Sequence, residues 1–451
     1  MDKKTGLYRV VVILAGVLIA APVFFLRAYF LVALCNFLGI ILIFMAERRA
    51  SSYKQVWVSV VVFYAAVVVR FLLVFGVDFL SMLVGVAYIL LTTLLLGPAL
   101  FLDYFLVVKK QYKLGIVAFP VIFTANLAAC VALHFGNVSN FVAFAQILPI
   151  FNLNLRWAGE FGLTFITMLV ISMALKGSIS ENKKERVIVY AVSAGIIAAL
   201  CVCGIVLKTQ TREPDFSIRV AVSTCEKRPT VENPEKLSKE ERLSMFRDAL
   251  EYAKQNNAEL LVLNEEYYIL YPEDMDWSLK GIEKTISEYG IPVLLPLWEC
   301  NEEELDVNYV CFYDENGQVL YTYTKHTLVP YIEQGEVKEG KTAPTSFRYS
   351  FRGKEVTISA VICMDINNSL FLKKVPEETE LLIVPSWDWD MVNSEQRRTY
   401  ARSIQLNTTI LKNSFQGYSY ASGPWGIYGE VLDFRDQYQK VEIMDVPIWK
   451  K

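Results

Sequence analysis

The sequence predicts a multi-span α-helical membrane domain followed by an α/β domain, and two observations support this division. Of the 451 residues, 54% are hydrophobic and only 20% are charged, whereas soluble proteins usually carry about a quarter charged residues. The long apolar runs are concentrated in residues 1–208, while residues 209–451 have the mixed composition of a globular domain. We therefore expect residues 1–208 in lipid and residues 209–451 in water, with a hydrophobic core of their own.

Seven apolar segments of the first part are long enough to cross a bilayer, which takes about 20 predominantly apolar residues. They cover residues 8–26, 28–46, 55–76, 79–102, 114–134, 160–176 and 187–207. Because further spans follow the first one at once, we interpret it as a retained helix and not as a cleaved signal peptide. The stretch 141–162 alternates between aromatic and polar residues, which is typical of a re-entrant or interfacial segment.

Basic residues are concentrated in alternate loops between these segments. They are Lys3, Lys4, Arg48, Arg49, Lys54, Lys109, Lys110, Lys113, Lys176, Lys183, Lys184 and Arg186. Positive loops face the cytoplasm, so the pattern predicts a multi-pass protein of the cytoplasmic (inner) membrane with residues after 208 on the outer side. Arg70 and Asp103 lie inside or at the edge of spans, where snorkelling, mutual pairing and a functional role all stay open.

Charge and cysteine content exclude several classes of function. The net charge of −3 and the lack of a basic stripe with interleaved aromatics argue against a nucleic-acid partner. The chain has two histidines, His134 and His326, and no CxxC spacing. We therefore expect no metal site and no cofactor.

Residues 209–451 show the periodicities of alternating strands and helices. Strands are predicted at 217–225, 292–297, 307–313, 318–323, 356–365, 381–385, 415–421 and 425–433, and helices at 238–256, 279–289 and 394–412. A further buried strand is predicted within 258–266, where the apolar run ends in two acidic residues. Ser238 and Glu241 form a capping-box pattern at the first helix. Asn316-Gly317 indicates a hairpin turn between two of the strands.

Three of the predicted strands end on residues that can carry chemistry: Glu265, Lys325 and Cys363. A thiol becomes a good nucleophile only as its thiolate. A carboxylate can take the thiol proton, and an ammonium can stabilise the thiolate and a developing oxyanion. Taken singly, each residue has a plainer interpretation, because such a Cys is usually a core residue and such a Glu or Lys is usually solvated.

The three segments together resemble the nitrilase (carbon–nitrogen hydrolase) superfamily. Residues 258–265 are similar to its Ala-Asp-Leu-Val-Val-x-Pro-Glu strand, and residues 362–365 to its Ile-Cys-Tyr-Glu segment. Residues 323–333 resemble Tyr-x-Lys-x-x-Leu-Val-Pro-Phe-Gly-Glu, the lysine segment of one branch, the apolipoprotein N-acyltransferases. That branch carries a multi-span membrane domain before its nitrilase domain, so the resemblance covers nearly the whole chain and implies an αββα sandwich for residues 209–451.

The resemblance implies roles for individual residues. Glu265 would be the general base, Lys325 the oxyanion stabiliser and Cys363 the acylated nucleophile. Supporting roles would fall to Glu333, Asp365 and Glu266, the last competing with Glu265 for the base role. The aromatic residues Trp387, Trp389 and Tyr331 would line a substrate cleft, for which core or interface packing is the plainer alternative.

The sequence departs from the family pattern at several points. Asn264 replaces Pro, Met364 and Asp365 replace Tyr and Glu, and Ile332 replaces Gly. The last transmembrane helix of the acyltransferases has no counterpart before Lys451, which leaves the acyl acceptor open.

Three functions follow from these patterns. The first is a monomeric N-acyltransferase with a phospholipid as acyl donor and a lipoprotein or another amine as acceptor. The second is a membrane-tethered amidase or nitrilase that hydrolyses an extracytoplasmic amide. The third is a transporter or receptor with a degenerate sensor domain, against which the retained Glu, Lys and Cys argue.

Overall fold

A computed structural model describes most of the chain as two compact units, a helical unit up to residue 211 and an α/β unit from residue 212 onwards. The described residues are 3–20, 29–75, 100–112, 115–132, 149–225, 237–329, 333–387, 392–415, 417–434 and 439–451.

The helical unit follows the apolar runs of the sequence. Its helices are α1 (Lys3–Ala20), α2 (Tyr29–Arg48), α3 (Tyr53–Phe75), α4 (Gly115–Ala132), α5 (Pro149–Asn152), α6 (Leu155–Ile179) and α7 (Lys183–Thr209), with a π-helical turn at Tyr104–Lys109. Six of the predicted spans fall on these helices, while most of the span 79–102 lies outside the described residues. Within the described part, α6 and α7 are long and apolar enough to cross a membrane, judged by length and composition. The other crossings and the orientation stay predictions.

The predicted re-entrant stretch is only partly described. Residues 149–162 form α5 and the beginning of α6, and α6 is kinked at Gly159, whose φ of 63° is not helical. Residues 141–148 lie outside the described residues.

A buried ion pair inside the helical unit corrects one interpretation of the loop charges. The guanidinium of Arg48 donates to both carboxylate oxygens of Asp103, at 2.9 and 3.0 Å, and also contacts Ser172. Both charged side chains are fully buried. Arg48, which we counted among the loop charges, is therefore the partner of Asp103 inside the helical unit.

The α/β unit contains thirteen described strands. They are β1 (Phe216–Cys225), β2 (Leu260–Leu263), β3 (Tyr268–Leu270), β4 (Val293–Glu299), β5 (Val307–Tyr313), β6 (Val319–Thr324), β7 (Phe347–Phe351), β8 (Lys354–Ala360), β9 (Leu381–Trp387), β10 (Thr409–Phe415), β11 (Tyr418–Gly423), β12 (Gly426–Asp433) and β13 (Gln439–Ile448). The helices are α8 (Lys239–Gln255), α9 (Met275–Tyr289), α10 (Ser369–Leu372) and α11 (Val392–Leu406). The capping box predicted at Ser238 and Glu241 is confirmed at the start of α8.

The strands form two sheets that pack face to face. One sheet has the order β13-β1-β2-β4-β5-β6, with β3 beside β4, and the other has the order β12-β11-β10-β9-β8-β7. Along β2, Leu260 and Val262 face the other sheet, whereas Leu261 and Leu263 pack against α8 and α9. Helix α11 packs against β10 and β11. The nitrilase-like α/β fold predicted for this part of the chain is thereby confirmed.

Strand direction brings several strand ends to one edge of the sandwich. Strands β1, β2 and β4 are parallel, and two antiparallel pairings, β4 with β5 and β5 with β6, make β6 run in the same direction. In the second sheet β8, β9 and β10 are parallel. Loops after the carboxyl ends of parallel strands are the usual place for functional side chains in α/β folds.

Some predicted boundaries were wrong. The helix predicted at 394–412 ends at Leu406, because Asn407 has a positive φ of 52°. The β-branched residues Thr409 and Ile410 then belong to β10. The strand predicted at 356–365 ends at Ala360, so Cys363 lies in the turn that follows.

Asn413 on β10 connects the two sheets. Its side-chain amide donates to the carbonyl oxygens of Ser223 at 3.0 Å and Val262 at 2.9 Å, and its Oδ1 accepts from Ser419 at 2.8 Å. All three bonds are buried, and this fully satisfied amide ties the middle of one sheet to the middle of the other.

Candidate active site

Glu265 lies two residues after β2 and is almost completely buried, with 2% of its surface exposed. Its Oε1 accepts hydrogen bonds from Nζ of Lys325 at 2.7 Å and from Nδ2 of Asn308 at 3.0 Å. Its Oε2 accepts from the backbone N–H of Trp387 at 2.9 Å. Three donors from three different segments therefore hold this carboxylate in one orientation.

Lys325 follows the last residue of β6 and is also buried, with 1% exposed. Its ammonium donates to Oε1 of Glu265 at 2.7 Å and to Oε1 of Glu333 at 2.6 Å. Burial alone would lower the pKa of Lys325, but Glu265, Cys363 and Glu333 together hold that pKa well above its usual value. The side chain therefore keeps its positive charge at neutral pH.

Glu333 binds the lysine from the other side. Its second oxygen, Oε2, accepts from the backbone N–H of Val329 at 2.7 Å. Each of its oxygens is thus engaged, one with the ammonium and one with the loop that follows Lys325. The structure therefore brings Glu333 together with Lys325 and the loop that follows it.

Glu266 lies beside this pair, half-buried and with a positive φ of 59°. Carboxylate oxygens of Glu265, Glu266 and Glu333 come within 4.8 Å of one another, a spacing that could hold a metal ion. The ammonium of Lys325 already bonds two of these three carboxylates and supplies the positive charge there. Glu265 contacts both the ammonium of Lys325 and the backbone N–H of Trp387.

Cys363 is the first residue of a 3₁₀ turn, Cys363–Asn367, and has a positive φ of 43°. Such a backbone conformation is strained for a residue with a side chain and is concentrated at functional sites. The half-buried thiol donates a hydrogen bond to the carbonyl oxygen of Trp387, with Sγ 3.8 Å away. It is thus the most accessible of the three predicted residues.

The main chain of Trp387 links the thiol to the carboxylate. Its N–H donates to Glu265, and its carbonyl oxygen accepts from Cys363. The indole ring packs edge-on against Phe415, with 5.3 Å between ring centroids. Of the three aromatic residues predicted for a cleft, Trp387 reaches the site through its main chain, whereas Tyr331 and Trp389 lie outside the described residues.

Asp365 joins the lysine loop to the cysteine turn. Its carboxylate accepts from the hydroxyl of Tyr323 at 2.7 Å, from the N–H of Thr327 at 2.6 Å and from the N–H of Ile362 at 3.1 Å. Burial raises the pKa of Asp365, while these donors and Lys325 oppose the rise. Two of the donors flank Lys325 and the third precedes Cys363, so Asp365 sets the spacing between the two segments.

Sequence reasoning missed two buried residues that contact this site. Asn308 on β5 donates to Glu265, and its own carbonyl oxygen accepts from the N–H of Lys325 at 2.9 Å. Arg402 on α11 donates to the carbonyl oxygen of Ile366 at 3.1 Å, in the turn that begins with Cys363. One signal was present for Asn308, which is a polar side chain inside the otherwise apolar run of β5.

Together these groups can support nucleophilic acyl chemistry. A half-buried thiol, a buried carboxylate fixed by three donors and a buried ammonium are the groups that cysteine attack on a carbonyl requires. The ammonium can also stabilise negative charge that develops on a carbonyl oxygen, because it is fixed by two carboxylates and shielded from water.

Comparison with known proteins identifies the α/β unit. Residues 219–431 match the family model for carbon–nitrogen hydrolases, and no curated protein matches the chain. Among solved structures, the chain is similar to an amidase from Nesterenkonia sp., with 20% identity over 52% of this chain and 92% of that one and a TM-score of 0.44. A double mutant of the amidase from Nesterenkonia sp. AN1 in complex with acrylamide has 19% identity over 51% of this chain and 91% of that one, with a TM-score of 0.43.

The family match covers the segments of all three residues of the site, namely Glu265, Lys325 and Cys363. Residues 219–431 therefore form a carbon–nitrogen hydrolase domain of the nitrilase superfamily.

Proposed function

We propose that the protein is a membrane N-acyltransferase. It would move a fatty acyl group from a phospholipid, through a thioester on Cys363, to the amine of a lipid-modified N-terminal Cys of a lipoprotein or to a related amine. The observation that carries this proposal is that a helical unit with two helices able to span a membrane precedes the hydrolase domain in the same chain. Such helices place an enzyme beside a lipid donor, which a small soluble amide does not require.

In the first half of the proposed reaction, Glu265 takes the proton of the Cys363 thiol. The sulfur attacks the ester carbonyl carbon of the phospholipid, and the new C–S bond leaves the negative charge on the carbonyl oxygen. The ammonium of Lys325, held in place by Glu265 and Glu333, stabilises this oxyanion. Collapse breaks the C–O bond, and Glu265 returns its proton to the departing lysophospholipid alcohol.

In the second half, the acceptor amine attacks the thioester carbon. Glu265 takes a proton from the amine nitrogen, and Lys325 again faces the oxyanion. Collapse breaks the C–S bond, which releases the amide product and leaves a thiolate on Cys363 that regains the proton from Glu265. The carboxylate acts as base and then acid in each half, so no cofactor takes part.

The membrane arrangement proposed with this activity is the one that the loop charges predict. Seven spans would place the N-terminus in the cytoplasm and the hydrolase domain on the outer side, in a monomeric protein. The lengths and apolar composition of α6 and α7 support association with a membrane.

Acyl transfer to Cys363 is tested by mass spectrometry. Full-length protein in detergent is incubated with a phospholipid that carries a labelled acyl chain, and the Cys363 peptide is examined for an acyl thioester. We expect the adduct on the unmodified protein and its loss, with N-acylation of the peptide, when a lipid-modified Cys peptide is added. Cys363→Ala should form no adduct, whereas Cys311→Ala, which changes a buried cysteine of β5, should form it normally.

The same experiment separates the proposal from the amidase alternative. Hydrolysis of simple amides without any acyl adduct from phospholipid would contradict acyl transfer and identify an amidase. Activity of Cys363→Ala would contradict both.

A further inference from the structure

We propose that Asn308 is a positioning residue, which fixes the orientation of the Glu265 carboxylate. This inference deepens the proposed function, since it rests on Glu265 as the base that receives the thiol proton. It assigns to Asn308 control over the pH at which the site becomes able to activate Cys363.

The position of Asn308 brings it into contact with two site residues at once. It lies on β5, fully buried, with Nδ2 3.0 Å from Oε1 of Glu265. Its carbonyl oxygen accepts from the backbone N–H of Lys325 at 2.9 Å. One residue therefore fixes the side chain of the base and the main chain of the lysine.

The orientation of the Asn308 amide follows from the charge on Glu265. With Nδ2 facing Oε1, the amide donates to the carboxylate, while its own Oδ1 is buried and accepts no hydrogen bond from the part of the chain that the structure describes. A rotated amide would place Oδ1 against Oε1, two acceptors without a proton between them. An ionised Glu265 therefore selects the observed orientation, even though it leaves a buried acceptor unsatisfied.

The balance of charges around Glu265 explains why a neutral hydrogen-bond donor such as the Asn308 amide stabilises this carboxylate. Glu265 and Glu333 share the ammonium of Lys325, and a carboxylate oxygen of Glu266 lies within 4.8 Å of theirs, so three carboxylates surround one positive charge. Hydrogen bonds to the charged form of an acid favour that form. Asn308 stabilises Glu265 in this way without adding a further charge near the sulfur of Cys363.

The two oxygens of the Glu265 carboxylate differ in the number of hydrogen bonds that they accept. Oε1 of Glu265 receives two hydrogen bonds, from Lys325 and Asn308, while Oε2 receives one from the backbone of Trp387. The carbonyl oxygen of the same residue accepts the hydrogen bond from the thiol of Cys363. Oε2 is therefore the oxygen that receives the thiol proton, and Asn308 keeps Oε1 occupied.

Asn413 provides a matched control because it is equally buried and serves the sheets alone. Its amide bonds two backbone carbonyl oxygens and one hydroxyl, none of which belongs to Glu265, Lys325 or Cys363. Substitution of Asn413 removes a comparable buried amide from the same domain and leaves the carboxylate of Glu265 untouched.

The test follows alkylation of Cys363 by iodoacetamide in the full-length protein across a range of pH, with the Cys363 peptide quantified by mass spectrometry. The pH of half-maximal rate is compared between the unmodified protein, Asn308→Leu, Asn308→Asp and Asn413→Leu. We expect Asn308→Leu to raise this pH by about one unit, which corresponds to the loss of one hydrogen bond to a charged group. Asn308→Asp, of the same shape, should raise it further by repulsion, and Asn413→Leu should leave it unchanged.

An unchanged half-maximal pH in Asn308→Asp would overturn the inference, and so would an equal shift in Asn413→Leu. Should Asn308→Leu fail to fold, which rapid alkylation of the buried Cys311 would reveal, the isosteric Asn308→Asp decides the question. The assay needs no acyl donor. If the half-maximal pH shifts in the Asn308 variants but the unmodified protein forms no acyl thioester, acyl transfer is refuted and the role of Asn308 stands. If the thioester forms but the half-maximal pH does not shift, the role of Asn308 is refuted and acyl transfer stands.

Discussion

Replacing Lys325 by Met tests whether one ammonium compensates two buried carboxylates. Met retains much of the apolar stem but removes the charge that lies 2.7 Å from Oε1 of Glu265 and 2.6 Å from Oε1 of Glu333. Removing one partner of a buried ion pair costs about 3–5 kcal/mol, because the other charge stays buried. We expect Lys325→Met to lower the free energy of unfolding of the α/β unit by about this amount.

The stability that Lys325 contributes should depend on pH, in a direction that follows from the groups around its ammonium. Burial acts to lower the pKa of Lys325, but Glu265, Cys363 and Glu333 raise it well above its usual value. The stabilisation from this lysine is therefore complete below its unfolded pKa of about 10.4 and is lost only as the pH rises through the higher folded value.

Urea unfolding of the full-length protein in detergent, followed by tryptophan fluorescence, measures this deficit. Six of the eight tryptophans lie within residues 209–451, so the signal reports mainly on the α/β unit. The double variant Lys325→Met/Glu333→Gln removes one of the two uncompensated charges and should recover about 1–3 kcal/mol. A deficit below about 1 kcal/mol for Lys325→Met, or no recovery in the double variant, would refute this account.

Three further predictions concern the framework around the site. Asp365→Ala leaves a buried tyrosine hydroxyl and two backbone N–H groups without their acceptor. We therefore expect thermal unfolding to show that the free energy of unfolding falls by about 3 kcal/mol or more. An unaltered melting temperature would contradict this. Gly317→Ala places a methyl group 2.3 Å from the carbonyl oxygen of Glu283 at a φ of +79°, and calorimetry should show destabilisation of at least about 1 kcal/mol. Ser238→Ala removes the cap of α8 and should cost about 1 kcal/mol, with faster amide exchange in the first turn; Ser238→Asp, which can still cap, should retain normal exchange.

The three predicted site residues could be found from the sequence because each follows an apolar β-type run. Glu265, Lys325 and Cys363 come after β2, β6 and β8. Strands that run in one direction end at one edge of a sheet, so the pattern carries spatial information. The resemblance to nitrilase segments then distinguished these residues from ordinary core or surface positions.

Asn308 could not be assigned in this way, because its contact depends on the pairing of strands. Strand β5 lies between β4 and β6, and its register with β6 shifts by an irregularity between Phe312 and Tyr313. Moving a strand by one residue reverses the face of every side chain. The side of the sheet to which Asn308 points therefore followed only from the three-dimensional structure.

The turn at Cys363 escaped prediction for a different reason. Val361 and Ile362 continue the apolar pattern of β8 and are fully buried, so periodicity alone extends the strand through the cysteine. The chain turns because Asp365 accepts from the N–H of Ile362 and Cys363 adopts a positive φ. This local side-chain hydrogen bond competes with the sheet ladder and ends the strand.

In the helical unit, the apolar runs predicted the helices well, but the loop assignment of one charged residue, Arg48, was wrong. Arg48 ends α2 and was counted as a loop residue, whereas the structure buries it against Asp103. A basic residue that is neutralised inside a helix bundle contributes little to the charge of a loop. The orientation that we predict therefore depends more on the remaining basic residues of the alternate loops.

The contact of Trp387 with both Glu265 and Cys363 has a consequence for how such an enzyme diversifies. Both hydrogen bonds use atoms of the peptide backbone, the N–H towards the carboxylate and the carbonyl oxygen towards the thiol. Every residue except proline provides the same two atoms. The side chain at position 387 can therefore change while the hydrogen bonds to Glu265 and Cys363, and the distance between these two residues, stay the same.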